Sequence, residues 1–202
     1  MSENPRHRPH HRPLTRGGEF FADFEGGQDP ALVTEAADRA AQVLVRGARG
    51  TDDPEVADRV LHLAESEGIE TIAEVWSGAT ADSLAGCLWR LFLLRSWVHA
   101  DPVTVAREYE AGLTLAPVAR VVAGVADPPG PAELRTMVDE VLRGIVASDF
   151  ADVLFRAAGF ARVVAAGRAA LPEPAPEHVQ RMLLLSEQLE AAGHTELVHS
   201  LS

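Results

Sequence analysis

Two arginines stand inside a stretch of the sequence that is otherwise apolar. Arg90 and Arg95 interrupt the run LAGCLWRLFLLRSWV at residues 84–98. A buried guanidinium needs a carboxylate or a bound anion beside it, because an unpaired charge is costly to remove from water. We therefore treat Arg90, Arg95 and the neighbouring Trp89 as candidate ligand-binding residues between helices. Structural ion pairs, or side chains that extend to the surface, are the alternative. The carboxylates considered as partners are Asp82, Glu74, Glu108 and Glu110.

The candidate nucleophiles Cys87 and Ser77 do not match a known catalytic arrangement. Cys87 lies between Leu84 and Leu88, which is typical of an inert buried thiol. Ser77 stands in Trp-Ser-Gly, which is not the Gly-x-Ser-x-Gly pattern of a nucleophile elbow. The chain has 18 arginines and no lysine, so it lacks the lysine of a P-loop, a kinase or a Schiff base. We assign no catalytic residue.

Metal ligands are too few, and too poorly spaced, to predict a metal site. A helical di-iron centre needs two Glu-x-x-His motifs, and this sequence has one, at Glu196 and His199. The single cysteine excludes sites built from four thiolates. His7, His10 and His11 lie among arginines, whose charge opposes a bound cation. We expect no metal and no cofactor.

Residues 71–91 have the order of a helix-turn-helix, with a turn that contains glycine. The second helix begins with Ala81, Asp82 and Ser83 and offers no basic side chain before Arg90. The formal charge is −12, and residues 1–16 carry +3, which leaves −15 on the remainder. Because contacts to phosphates need lysine or arginine, we expect no binding to duplex DNA.

Residues 1–28 are predicted to form a disordered Arg- and His-rich tail followed by an aromatic arm. Phe20, Phe21 and Phe24 lie within five residues and are candidate partner-binding side chains. Docking of this arm on the protein's own helices is the favoured alternative. No apolar signal segment and no membrane-spanning run is recognisable, so we expect a cytoplasmic protein that does not bind membranes.

The rest of the chain, residues 29–202, is predicted to be one helical domain with internal breaks at 127–131 and 172–177. Asp-Pro pairs such as Asp101-Pro102 are good helix starts, because aspartate caps free amides and proline suits the first turn. Apolar periodicity predicts helices and no strands. The fold class is therefore an all-α, single-domain bundle of about eight or nine helices around a central apolar helix at about 82–98. The predicted helices cover about 30–48, 54–67, 69–76, 82–98, 102–112, 117–125, 131–147, 149–168 and 177–192, with a short one after His194.

Three stretches of the sequence resemble a known group of proteins. They are LAESEGIETIAEVWSGATADSLAGCLWRLFLLRSWV, VAGVADPPGP and DFADVLFRAAGFARVVAAGR. They look like short actinobacterial all-helical proteins of unknown function, whose members often carry the label "DNA-directed RNA polymerase subunit beta". The resemblance covers about residues 30–170 and implies a helical fold and, through the label, an association with RNA polymerase. It transfers no functional residues.

The sequence favours a non-enzymatic interaction or regulatory protein with an unknown protein partner. The sequence does not determine its oligomeric state. A small-molecule-binding helical domain, like the effector domain of a regulator, is the first alternative. A factor associated with RNA polymerase is the second. A metal-dependent enzyme is the least favoured.

Overall fold

The structure is a computed structural model that describes residues 30–46, 69–115, 128–143, 149–172 and 174–201. Every regular element within these ranges is an α-helix, which confirms the predicted all-α class for the described part of the chain. The helices are α1 Pro30–Arg46, α2 Ile69–Val75, α3 Leu84–Ala100, α4 Pro102–Leu115, α5 Pro131–Leu142, α6 Phe150–Ala169 and α7 Pro176–Val198. The helices expected at about 54–67 and 117–125 lie outside the described residues, so the count of eight or nine stays a prediction.

Side-chain caps explain where several of these helices begin. The Ser83 hydroxyl accepts a hydrogen bond from the Gly86 amide at the start of α3. The carboxylate of Asp101, which precedes Pro102, accepts one from the Thr104 amide at 3.1 Å. Asp149 caps α6 in the same way, through the Ala151 amide. Each cap satisfies an amide that the first turn of a helix leaves without a partner.

Among the described helices the most buried is α6, not the helix at about 82–98 that we expected at the centre. Thirteen of the 20 residues of α6 are buried, against eight of the 17 residues of α3. Helices α4, α5 and α7 all pack on α6, and α7 follows it along most of its length. The physical reason is side-chain size, because the alanines, glycines and valines of α6 let neighbouring helices approach on several sides. The apolar character of α3 misled the prediction, since one side of that helix remains partly exposed.

Two glycines allow α4 and α6 to cross in direct backbone contact. A Cβ atom at Gly112 would lie 1.9 Å from the Val163 carbonyl oxygen, and one at Gly167 would lie 1.7 Å from the Glu108 carbonyl oxygen. Only glycine fits at such a distance. This crossing brings Glu108 of α4 beside Arg168 of α6.

The last helix continues further than expected. The sequence predicted an end at about residue 192 and a short helix after His194, but α7 runs without a break to Val198. A Cβ at Gly193 would lie 2.8 Å from the Phe155 ring, so this glycine makes room for an aromatic side chain of α6. The His194 ring then packs edge-on against Phe155, with ring centroids 5.0 Å apart. No helix of the described ranges is long and apolar enough to cross a membrane.

Candidate functional site

Arg90 and Trp89 lie on α3, and both make contacts within the protein. The Arg90 Nε donates a hydrogen bond to the Gln188 side-chain oxygen of α7 at 2.8 Å, and Nη1 donates to the Gly86 carbonyl at 2.8 Å. The Trp89 ring stacks with Phe92, with centroids 5.6 Å apart. Both rings pack against the core while remaining partly exposed.

Arg95 lies on a different side of α3 from Arg90. Its Nε donates to the Asp139 carboxylate of α5, and its Nη1 lies 3.8 Å from the Glu70 carboxylate of α2. Asp139 of α5 therefore joins its own helix to α3. Since Arg90 faces α7 and Arg95 faces α5, the structure does not bring the two arginines into one site. Neither is hydrogen-bonded, within the described ranges, to the carboxylates expected as partners, namely Asp82, Glu74, Glu108 and Glu110.

A third arginine, which the sequence did not single out, makes the most buried ion pair among the described residues. Arg168 donates to both carboxylate oxygens of Glu108, from Nε at 2.9 Å and from Nη2 at 2.8 Å. Its guanidinium lies 5.0 Å from the centre of the Trp97 ring. Only 5% of the Glu108 side chain is exposed. A two-pronged pair stacked on an indole is well suited to hold α3, α4 and α6 together.

A cleft of about 270 Å³ opens beside this ion pair. It is lined by Thr104, Glu108, Arg168, Leu171, Pro174, Ala175 and His178. The remaining arm of the guanidinium, Nη1, donates to the His178 carbonyl at 3.3 Å. The arginine that lines the cleft is therefore already engaged, and an anion would have to displace Glu108 to reach it. This geometry fits a structural clamp better than a ligand site.

Cys87 and Glu196, the other candidate reactive groups considered above, both lie in structural surroundings. Cys87 is buried, and burial raises the pKa of its thiol to about 12, so the thiol stays protonated at neutral pH. Glu196, from the Glu-x-x-His motif, instead accepts a hydrogen bond from Arg46 of α1 at 2.7 Å and one from the Leu201 amide at 2.8 Å. Within the part of the chain that the structure describes, no three His, Cys, Asp or Glu side chains are grouped to hold a metal ion.

The two helices predicted within residues 71–91 are present as α2 and the start of α3, but the first residues of α3 face the protein core. Residues Leu84 to Leu88, which open α3, are all buried. Side chains in this position cannot reach the edges of bases in a groove. The aromatic arm with Phe20, Phe21 and Phe24 lies outside the described residues.

The outward side of α7 carries an unusual share of exposed apolar side chains. The described ranges contain seven exposed large hydrophobic residues, and four of them lie on this helix. They are Leu183, Leu184, Leu197 and Val198, which are 38%, 53%, 59% and 74% exposed. The other three, Leu93, Val103 and Leu115, are distributed between α3 and α4.

The inner side and the flanks of α7 are held by polar contacts. The buried Ser186 hydroxyl donates to the Ala158 carbonyl of α6 at 2.9 Å, and Arg162 of α6 pairs with Glu190 at 2.7 Å. Gln188 binds α3 and Glu196 binds α1 through the arginines described above. These four positions fix the orientation of the helix and direct its remaining side to solvent.

We call this remaining side the outer α7 face. It consists of Leu184, Glu187, Ala191, His194, Thr195 and Val198, all exposed. Leu183 and Leu197 lie seven residues before and after Glu190 and therefore on the flank of the helix that carries Glu190. The sequence held a signal for it, because Leu184, Ala191 and Val198 recur every seven residues, which is nearly two helical turns.

Known proteins do not supply an assignment for this surface. Comparison of the chain with protein-family models, with curated proteins and with solved structures finds no match. The function proposed below therefore rests on the contacts, burial and charges of the described residues.

Proposed function

We propose that this chain is a non-enzymatic interaction protein that binds a protein partner through the outer α7 face. The observation that carries the proposal is the concentration of exposed leucine and valine on one helix whose other sides are fixed by hydrogen bonds. Burying a leucine or valine side chain contributes roughly 1.5–3 kcal/mol, so a partner that covers this face gains binding energy. Exposed apolar patches of this kind mark interaction sites in many proteins.

The polar residues support a structural interior. Arg46, Arg90, Arg95, Arg162 and Arg168 each donate to a side chain on another helix. No buried side-chain nitrogen or oxygen among the described residues lacks a hydrogen-bond partner. Groups engaged in this way stabilise helix packing, whereas a catalytic site requires side chains that can meet a substrate.

The complete chain is proposed to be a single bundle of eight or nine helices. Its proposed location is the cytoplasm, and no duplex DNA or membrane is proposed as a partner. The resemblance described above makes RNA polymerase an alternative partner, which the same face or another surface would bind.

The proposal is tested by affinity purification from the native cell, with mass spectrometry of the co-purifying proteins. The tagged full chain is compared with Leu184→Asp, which places a charge in the outer α7 face. Leu115→Asp is the matched control, because Leu115 is 57% exposed but lies on α4. Helix α4 packs on α6 through Phe160, Val163 and Gly167, and α7 packs on a different side of that helix.

We expect a partner that is recovered with the wild-type chain and with Leu115→Asp and is lost with Leu184→Asp. The thermal midpoint of both variants should stay within about 2 °C of the wild type, because both sites are exposed. Equal recovery of every partner by the two variants would show that the outer α7 face is not the binding surface.

A further inference from the structure

We infer that the partner of the outer α7 face is a second copy of this chain, with the two α7 helices packed antiparallel about a twofold axis at Ala191. This inference rests on the proposed function and names its partner. Four features bear on it: the spacing of the apolar residues on α7, the polar residues of the outer α7 face, the net charge of the chain and the size of the surface.

The spacing of the apolar residues makes the face complementary to itself. Leu184 lies seven residues before Ala191 and Val198 lies seven residues after it. Seven residues correspond to about 10.5 Å along the helix. In an antiparallel pair centred on Ala191, Leu184 of each copy therefore meets Val198 of the other. The small side chain at the centre allows the two helices to approach to an interaxial distance of about 8 Å.

The polar residues of the face are also compatible with this pairing. Glu187 lies four residues before Ala191 and Thr195 lies four residues after it. The Glu187 carboxylate of one copy then lies beside the Thr195 hydroxyl and the His194 imidazole of the other, which can donate hydrogen bonds to it. The two Glu187 carboxylates are about 12 Å apart along the helix direction, beyond close repulsion.

The net charge of the chain distinguishes a second copy from a basic partner. The formal charge is −12, so two copies repel each other at long range. Glu187 is the only formally charged residue of the outer α7 face, with histidine counted as neutral. Attraction between copies is therefore apolar, and salt that screens the repulsion should strengthen the dimer. Binding to a basic partner would instead weaken as salt rises.

The size of the surface indicates a weak dimer. The outer α7 face runs from Leu184 to Val198, about 21 Å along the helix, which with a width of about 10 Å gives about 210 Å². A stable interface buries about 800 Å² on each partner. We therefore expect a reversible monomer–dimer equilibrium that is visible at micromolar and higher concentrations.

The test is sedimentation velocity of the full chain from about 1 to 300 µM, at low and at about 0.5 M salt. The variants are Leu184→Asp and Val198→Asp, with Leu115→Asp as the control. We expect a dimer that tightens at the higher salt, a loss of at least tenfold in dimer affinity for the first two variants, and no change for the control. Circular dichroism melts confirm that the variants remain folded.

A cross-linking experiment tests the position of the axis. Ala191→Cys places a thiol at the twofold axis, where it meets its own counterpart, and Ala100→Cys places one at the end of α3. Mild oxidation should give a covalent dimer with Ala191→Cys and none with Ala100→Cys. Cys87 does not interfere, because it is buried.

A dimer that weakens with salt, that ignores Leu184→Asp, or that Ala191→Cys fails to cross-link would overturn the inference. A monomeric wild type also overturns it, and the purification described under the proposed function then separates two cases. If another protein is lost with Leu184→Asp alone, the face binds a different partner and the proposed function stands. If the chain is monomeric and no protein is lost, both the inference and the proposed function fail.

Discussion

Glu108 is the only charged residue of the described ranges that lies buried in the interior. It is 4% exposed, and its carboxylate receives both hydrogen bonds from Arg168. Loss of one member of such a pair leaves the other charge buried without a partner. The free-energy cost of that unpaired charge is larger than the net stabilisation that the intact pair provides. The ion pair therefore specifies how α4 meets α6, and the remaining arm of Arg168 also reaches the start of α7.

We expect Glu108→Leu and Arg168→Met each to lower the free energy of unfolding by about 3–5 kcal/mol. The double variant should lose less than the sum of the two by at least about 1 kcal/mol, because it removes both charges together. Urea unfolding of the four proteins measures this. Additive losses would mean that the two side chains do not depend on each other.

Burial makes the thiol of Cys87 unreactive in the native protein. Burial raises the pKa of its thiol from the ordinary 9.0 to about 12. We expect the native protein at pH 8 to react only slowly with a disulfide reagent such as DTNB, and the urea-unfolded protein to release one equivalent at once. Rapid reaction of the native protein would show that the thiol is accessible.

The raised pKa of the Cys87 thiol also makes the stability of the protein depend on pH. Above about pH 9 the unfolded chain loses the thiol proton while the native chain retains it. The unfolded state is then favoured, so the contribution of this thiol to stability is present at pH 8 and declines between about pH 9 and 12.

At the scale of elements, the crossing of α4 and α6 has the least room for change. A methyl group at Gly167 would lie 1.7 Å from the Glu108 carbonyl oxygen and 2.7 Å from the Gly112 amide nitrogen, so the helices would have to separate. We expect Gly167→Ala to destabilise the protein by about 3 kcal/mol or more, measured by thermal and urea unfolding. Gly78→Ala is the control, because nothing lies within 4 Å of the added atom. Similar stabilities for the two variants would contradict the close crossing.

Helices α3 and α7 differ in how they use apolar residues. Over residues 84–98, helix α3 is apolar apart from Arg90, Arg95 and Ser96, yet Leu93 is 45% exposed and Trp89 and Phe92 are only partly buried. Helix α7 buries Met182, Leu189 and Ala192 on its inner side, is held at its flanks by polar contacts, and leaves Leu184 and Val198 exposed. The second arrangement is typical of an edge helix that binds a partner, because the apolar side is the one that no described helix covers.

At the scale of the whole molecule, the aromatic arm gives a test that is independent of α7. Leaving Phe20, Phe21 and Phe24 in water would forgo roughly 1.5–3 kcal/mol each. We expect deletion of residues 1–28 to lower the thermal midpoint by about 5 °C or more, as self-docking predicts. The dimer through α7 should persist, since its residues are retained.

An unchanged melting temperature with loss of a co-purifying partner would instead assign the arm to recognition of that partner. No change in either property would mean that the arm has neither role.

The sequence by itself determined the helical class and most helix boundaries, because caps and apolar periodicity act over a few residues. Ser83 and Asp101 are examples, since each caps a helix through an amide three residues along the chain. The starts of α4 and α6 could be predicted to within about one residue for this reason.

The tertiary structure alone decided which charged groups meet and which face of α7 stays open. Arg95 binds a carboxylate 44 residues away, and Arg46 binds Glu196 across 150 residues. Several carboxylates were equally available to each arginine in the sequence, and the choice among them depends on how helices pack. Helix packing is set by side-chain volumes, as at Gly112, Gly167 and Gly193, where the missing Cβ atom lets a neighbour approach. The recurrence of Leu184, Ala191 and Val198 every seven residues indicates one side of α7, but whether another helix covers that side depends on the packing of the rest of the fold.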